Sequence, residues 1–379
     1  MKKYFSYFLD YMRKSDTLLL SLCTLSTVFG IVLISSATRF YGTSQFIIIQ
    51  TLAMCIGIGL YFLFSLIDLD ILADKWRFLL IFSVLFIASL FIFGVAGDSG
   101  NKAWIRFGPI GIQPAEVVKI PFVIILAKLM AYLKDNHDIN QPISLVPMCV
   151  LFGLFFGLII ITSSDLGSAL VYAFIFAVML FIGGIKLYWF AIAAVGTAAV
   201  FPLAWKFFFS SNQKDRILAL YDPSIDPTGL GITWQTNQSK SAIASGQFFG
   251  YGLFSGPKTS SGSIPQQHTD FIFSVTGEEL GFIGCAAVIL LLMLIIIRCF
   301  YIGVKSNDYM CTLVCTGIAA MLIFQTLENI GMCLGLIPVI GLTLPFFSYG
   351  GSSIITLYAA MGIVAGIRRK PRVSRFSRL

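Results

Sequence analysis

Long apolar runs, each near the length needed to cross a bilayer, alternate along this chain with short polar connections. A helix rising ~1.5 Å per residue needs about 20 apolar residues to traverse the hydrocarbon. The runs predict helices near 17–36, 46–67, 77–96, 114–133, 143–161, 166–183, 186–206, 274–297, 310–333 and 344–367. The fold expected is therefore all-α and polytopic, with about ten transmembrane helices. One long polar stretch, 207–269, separates the seventh run from the eighth and reads as a large extracellular loop within a single membrane unit, 1–379, that ends in a basic tail at 368–379.

Composition agrees with this pattern. The chain is 57% apolar and 12% charged, against about 25% charge in soluble domains. The net charge of +8 needs no nucleic acid to explain it, because the excess sits at the ends. Lys2, Lys3, Arg13 and Lys14 precede the first run; Arg368, Arg369, Lys370, Arg372, Arg375 and Arg378 follow the last. The positive-inside rule places both termini in the cytoplasm, which requires an even number of spans. The short outer connections then carry only Arg39, Lys102 and Arg106, and the inner ones Lys75, Lys134, Lys186, Arg298 and Lys305. The tail also suits contact with anionic membrane lipids. The cysteines lie in or beside apolar runs, so the outer loop has no disulfide framework. Thr17 to Ser36 is too long for a signal-peptide core and reads as the first span.

Three regions break the apolar pattern. The first runs from Gly97 through Trp104 and Arg106 to Pro109, then into Gln113-Pro114-Ala115-Glu116. Pro114 suits a first helical turn, Glu116 favours the helix dipole there, and Lys119 shares its face at i+3. The pair either fixes the fourth helix or contacts substrate. The second is the large loop, where Ser239 to Gly246 reads as a short amphipathic helix lying on the membrane. The third runs from Glu328 to Ser353, with Pro338, Pro345 and several glycines. It predicts a broken or re-entrant backbone, tolerated only where protein or water covers it.

The large loop closes on Gln266-Gln267-His268-Thr269-Asp270-Phe271. Counted back from Arg298, the eighth span begins near Gly277. A helix continued upward puts Asp270 about 10 Å above the apolar edge, placed to act on the head of a lipid-linked substrate. Asp is also a common helix N-cap. Ser274, Gly277, Gly281 and Gly284 fall beneath Asp270 on such a helix. This small-residue stripe is either a groove for a lipid tail or a close-packing face.

Four motifs in register along nearly the whole chain carry a resemblance. They are Trp104-Ile105-Arg106-Phe107-Gly108-Pro109 with Gln113 to Glu116; Ser164-Asp165-Leu166-Gly167-Ser168-Ala169; His268-Thr269-Asp270-Phe271; and Pro345 to Ser353. Together they resemble the SEDS proteins (shape, elongation, division, sporulation). Thr326 to Met332 looks more like the elongation type, RodA, than the division type, FtsW. The resemblance implies a peptidoglycan glycosyltransferase that polymerises lipid II at the outer face of the bacterial plasma membrane during elongation and shape maintenance. It implies a class B penicillin-binding protein, a transpeptidase, as partner within the elongation machinery. The family's essential loop aspartate carries over to Asp270, its loop tryptophan to Trp104, and its fourth-helix acid and base to Glu116 and Lys119. The family often has Pro-Glu where Pro265-Gln266 stands and Ser where Ala115 stands, so a second carboxylate is missing.

The chemistry so implied needs a base for a sugar hydroxyl, assigned to Asp270, and positive charge for a departing pyrophosphate. Candidates for the charge are Arg106, Lys119, Arg216 and Lys240. A divalent cation, Mg or Mn, held by Asp270 and the substrate phosphates is a further candidate, with no permanently bound cofactor. His268 and Thr269, beside the acid, are read as orienting or substrate-contacting residues. Trp104 is either an interfacial anchor or a sugar-stacking residue, and Asp165 is read as a cap of the sixth helix. The rival function is a flippase or transporter of lipid-linked precursor, built on broken helices; a non-catalytic scaffold is a third.

Overall fold

The computed structural model describes residues 16–95, 102–108, 110–207 and 209–369. The basic residues before Asp16, the stretch from Gly97 to Asn101, and the tail from Lys370 onward lie outside the described residues.

Ten long helices make up the described chain. They are α1 Thr17–Ala37, α2 Gln45–Leu66, α3 Trp76–Phe93, α4 Pro114–Asn136, α5 Pro142–Ser163, α6 Leu166–Ile182, α7 Leu187–Phe207, α8 Ile272–Lys305, α9 Tyr309–Cys333 and α10 Gly351–Arg369. Eight of them are long and apolar enough to cross a membrane. The other two are α4, which carries Glu116, Lys119 and Lys128 close together, and α6, which is 17 residues long. Pro121, Pro147 and Pro202 lie inside helices, as membrane helices allow where neighbours cover the freed backbone. The chain is thus an all-α, multi-pass membrane protein.

Small residues let the helices approach. On α2, Gly57 faces the Tyr358 ring of α10, and Gly362 of α10 lies on the backbone of Tyr61. With no hydrophobic force between helices in lipid, this close van der Waals fit holds them. α9 and α10 form the buried centre, whereas no described residue of α7 is buried. At the start of α1, fully buried Asp16 caps the helix by accepting from the Leu19 N–H at 3.1 Å. It also pairs with Arg298 of α8 at 2.9 Å and Arg368 of α10 at 3.0 Å. One carboxylate thus ties three helices together, a role that apolar periodicity gives no sign of.

Several expectations change. The stretch between α7 and α8 is not an open loop: it holds helices Ser211–Leu218, Trp234–Gly246 and Pro257–Ser260. The second of these starts earlier than expected. It packs lengthwise on α8, with Ser239 Oγ 2.5 Å from Ser274 Oγ. The start of α8 also differs. It begins at Ile272 and is interrupted at Gly281, whose φ of 62° leaves the helical region. There Tyr251 N–H donates to the Glu278 carbonyl and Gly252 N–H to that of Glu279, while Phe282 N–H donates to the Gln247 carbonyl. The backbone groups released by the break are taken up by the outer segment.

The small-residue stripe is therefore filled. Gly277 faces Ile243, and Gly281 faces the backbone of Phe248 and Gly250. At these two positions it is a packing face, not a groove for a lipid tail. Glu278 and Glu279 belong to the same lock. Glu278 accepts from the N–H groups of Lys258 and Thr259, both at 2.8 Å, and Glu279 accepts from the Ser36 hydroxyl. The broken backbone expected after α9 is present. Residues 334–350 form no helix, and Leu344, Phe346, Phe347 and Ser348 within them are buried. As a result α10 begins at Gly351 rather than near 344.

Candidate active site

The hairpin of strands β1 Ile105–Phe107 and β2 Ile110–Ile112 brings the first polar region over the bundle. Its antiparallel register puts Arg106 opposite Gly111, and the Trp104 ring rests over Gly111, where a side chain would collide. Pro114 then opens α4 at its first position. Glu116 follows within the same first turn, and Lys119 Nζ pairs with it at 2.5 Å. Lys119 is fully buried, and Gln325 Nε2 of α9 approaches the same Glu116 oxygen at 3.4 Å.

Asp270 lies in the turn that precedes α8, not on a helix that continues past it. The turn is closed by Thr269 N–H and Phe271 N–H, which both donate to the Gln266 carbonyl. Three further donors come from the broken segment after α9 and from α9 itself. Tyr349 N–H donates to the His268 carbonyl, the Ser348 hydroxyl to that of Thr269 and Asn329 Nδ2 to that of Asp270. The His268 ring packs among Phe46, Tyr41 and Tyr349, at 4.8 to 5.7 Å.

Gly341 faces the carboxylate. A Cβ there would stand 3.3 Å from Asp270 Oδ2, and its φ of 84° suits only glycine. The segment from Val339 to Thr343 can therefore lie directly across the acid. Beneath it Glu328, 2% exposed, stands within electrostatic reach of Asp270 and Asp165.

These elements enclose a cavity of about 530 Å³. Of the residues singled out from sequence, Trp104, Arg106, Glu116, Arg216, His268, Thr269 and Asp270 line it. Lys119 and Lys240 do not. Lys119 sits behind Glu116, and Lys240 faces a neighbouring cavity of about 670 Å³. Asp165 combines two roles. It caps α6 by accepting from Ser168 N–H at 3.0 Å, and it lines the Asp270 cavity, where it accepts from Gln113 Nε2 at 3.0 Å. Gln266, where a second acid was missing, also lines the cavity. Sequence reasoning missed Tyr349 and Gln235 as lining residues and Asn329 as a support. Only their place in polar breaks hinted at them.

Asp270 is open to the cavity and otherwise surrounded by protein. Burial raises its carboxyl from the ordinary carboxylate range to about 6. The Thr269 hydroxyl opposes that rise and the Asp165 charge adds to it. This corrects the expectation of an ordinary carboxylate. Near neutral pH the group is still mainly ionised, and it is a stronger base than an exposed aspartate. Among the described residues no three His, Cys, Asp or Glu side chains gather in a metal-holding arrangement.

Comparison with known proteins matches this architecture. The profile of the FtsW/RodA/SpoVE family, described as cell cycle proteins, matches residues 16–373. The chain is 33% identical to the probable peptidoglycan glycosyltransferase FtsW of Trichlorobacter lovleyi, over 93% of this chain and 92% of that protein. It is 31% identical to the peptidoglycan glycosyltransferase MrdB of Escherichia coli K12, over 95% of each. A solved chain reported under structural coordination of polymerization and crosslinking by a peptidoglycan synthase complex superposes with a TM-score of 0.77. That match has 30% identity and covers 94% of this chain and 98% of that one. RodA of Thermus thermophilus, described as a rod shape determining protein, superposes with a TM-score of 0.69 at 27% identity, over 94% and 97%. With the family profile covering nearly the whole chain and the motif residues converging on one cavity, this protein belongs to the SEDS family of FtsW, RodA and SpoVE.

Proposed function

We propose that this protein polymerises lipid II into glycan strands at the outer face of the bacterial plasma membrane, with both termini in the cytoplasm. The observation that carries the reading is Asp270. It faces a cavity that also holds Arg106 and Arg216, at the outer start of a membrane-spanning helix.

The reaction forms a bond from a sugar 4-hydroxyl oxygen to an anomeric carbon and breaks that carbon's bond to a pyrophosphate oxygen. Asp270 accepts the hydroxyl proton, help that is typically worth ~10²–10⁴ in rate. Arg106 and Arg216 meet the charge that develops on the departing pyrophosphate, in a recess where such charges count for more than in water. Trp104 presents its ring to the sugars, and His268, packed among Phe46, Tyr41 and Tyr349, orients the turn that carries Asp270. Thr269 and Glu116 complete the lining, and Lys119 acts through Glu116 by holding its carboxylate in place.

A divalent cation, Mg or Mn, fits in one way only. Asp270 would be its protein ligand and the substrate phosphates would supply the rest, as Mg often binds. Such an ion would neutralise phosphate charge.

The elongation branch is favoured by Thr326 to Met332, while the relatives include both FtsW and MrdB. A class B penicillin-binding protein is the proposed partner, supported by likeness to a chain from a peptidoglycan synthase complex.

Purified protein given lipid II in detergent, with and without that transpeptidase, tests the reading by glycan length on a gel. Wild type should make chains, and Asp270→Ala, present at wild-type level in membranes, should make none. Chains from the variant equal to wild type would remove Asp270 from the mechanism. Movement of lipid II between vesicle leaflets without polymerisation would favour the flippase reading.

A further inference from the structure

We infer that a second, anion-binding subsite adjoins the Asp270 cavity and takes the carboxylate-bearing peptide of the lipid-linked substrate. This rests on the polymerase reading and deepens it by assigning a further part of the substrate.

The neighbouring cavity, of about 670 Å³, is lined by Arg216, Asp226, Trp234, Thr236 and Lys240 among others. Arg216, Gln235 and Val339 line both cavities, so the two share a wall. Its floor is the first turn of the helix Trp234–Gly246, 13 residues long. The N–H groups at such an end carry partial positive charge and attract anions.

Thr236 supplies an independent sign of a ligand. It is 8% exposed, lines this cavity, and turns its methyl group toward Gly335. Its hydroxyl makes no hydrogen bond to any described residue. The hydroxyl is not sealed in the core but keeps access from the cavity, so a ligand oxygen there can pair with it.

The charge balance points the same way. Arg216 and Lys240 face one acid, Asp226. That carboxylate is already engaged, accepting from Gly231 N–H and Thr233 N–H at 3.0 Å and from the Thr233 hydroxyl at 2.7 Å. It organises the turn that leads into the helix and leaves Lys240 for a ligand, while Arg216, on the shared wall, donates through Nη1 to the Val339 carbonyl at 3.2 Å.

Position selects among the substrate's anions. Ser239 meets Ser274, and Ile243 and Gly246 meet Gly277, so this helix runs beside the outer part of α8 in the same direction. Its Trp234 end, with the cavity, is the end farther from the membrane core. The lipid tail, with the pyrophosphate attached to it, enters from the membrane side and is met by the arginines of the first cavity. The anions that remain on the outer side are the peptide carboxylates.

Thr236→Val and Lys240→Met, checked for wild-type melting temperature, test the assignment with two substrates. One is complete lipid II and the other is the same lipid-linked disaccharide without its peptide. Loss of a charge-assisted contact should raise KM about tenfold for complete lipid II and leave the peptide-free substrate within about twofold. Equal rises for both substrates, or none for either, would overturn it. A second measurement does not depend on turnover. Soluble muramyl pentapeptide should bind wild-type protein in detergent and bind Lys240→Met about tenfold more weakly. If wild type binds no peptide, the subsite is wrong whatever the polymerisation result. If it binds peptide but makes no glycan, the polymerase reading fails and the subsite stands.

Discussion

Asn329 donates through Nδ2 to the main-chain carbonyl of Asp270 at 2.7 Å and to that of Leu342 at 2.8 Å. One fully buried side-chain amide thus clamps the acid's backbone to the segment that crosses in front of it. The carbonyls of Thr269 and His268 are held in series by Ser348 and Tyr349. The direction of the carboxylate is therefore set by a part of the chain far away in sequence.

Replacing Asn329 by Leu removes both donations and leaves two buried carbonyls unpaired, at about 1–3 kcal/mol each. Misplacement of a reacting group by an ångström can cost about a hundredfold. The expected outcome is a fall in kcat of at least about tenfold with KM for lipid II little changed. A variant that melts earlier but turns over normally would show that Asn329 supports the fold without aiming Asp270.

The raised carboxyl of Asp270 gives the reaction a pH signature. A base works only when ionised, so kcat/KM should be retained at neutral pH and fall as pH drops through about 6. An exposed aspartate would hold the rate to about two pH units lower. A profile flat down to pH 5 would exclude Asp270 as the titrating base.

Gly281 tests whether the stripe under Asp270 is packing. A Cβ there would lie 2.5 Å from Gly250 N and 2.7 Å from the Phe248 carbonyl, at a φ of 62°. Gly281→Leu should lower the melting temperature in detergent by several degrees, an overpacking and strain cost of about 1–3 kcal/mol or more. Wild-type melting with lost activity would restore the lipid-groove reading.

The Glu116–Lys119 pair is buried and short, so its two members should not be equivalent to their joint removal. Lys119→Met leaves a buried carboxylate uncompensated, which typically costs about 3–5 kcal/mol. Adding Glu116→Gln should recover most of that loss. Thermal unfolding of the single and double variants measures the difference. A double variant as unstable as the single would mean that the pair does not act as a unit.

The apolar runs by themselves determined the membrane class, the order of the helices and most of their bounds, because lipid forces every spanning backbone group into a local helix. The cavity residues Trp104, Arg106, Glu116, Arg216, His268, Thr269 and Asp270 were also legible, from the polar breaks in the apolar pattern and from the family resemblance. What only the tertiary structure decided was their grouping. It put Lys119 behind Glu116, Lys240 in a separate cavity and Asp165 in the wall facing Asp270. It also broke α8 at Gly281 and filled the expected groove with the outer helix. Those outcomes depend on hydrogen bonds between segments distant in sequence, such as Asn329 to Asp270, and periodicity along one helix carries no information about which distant donor will meet a free carbonyl.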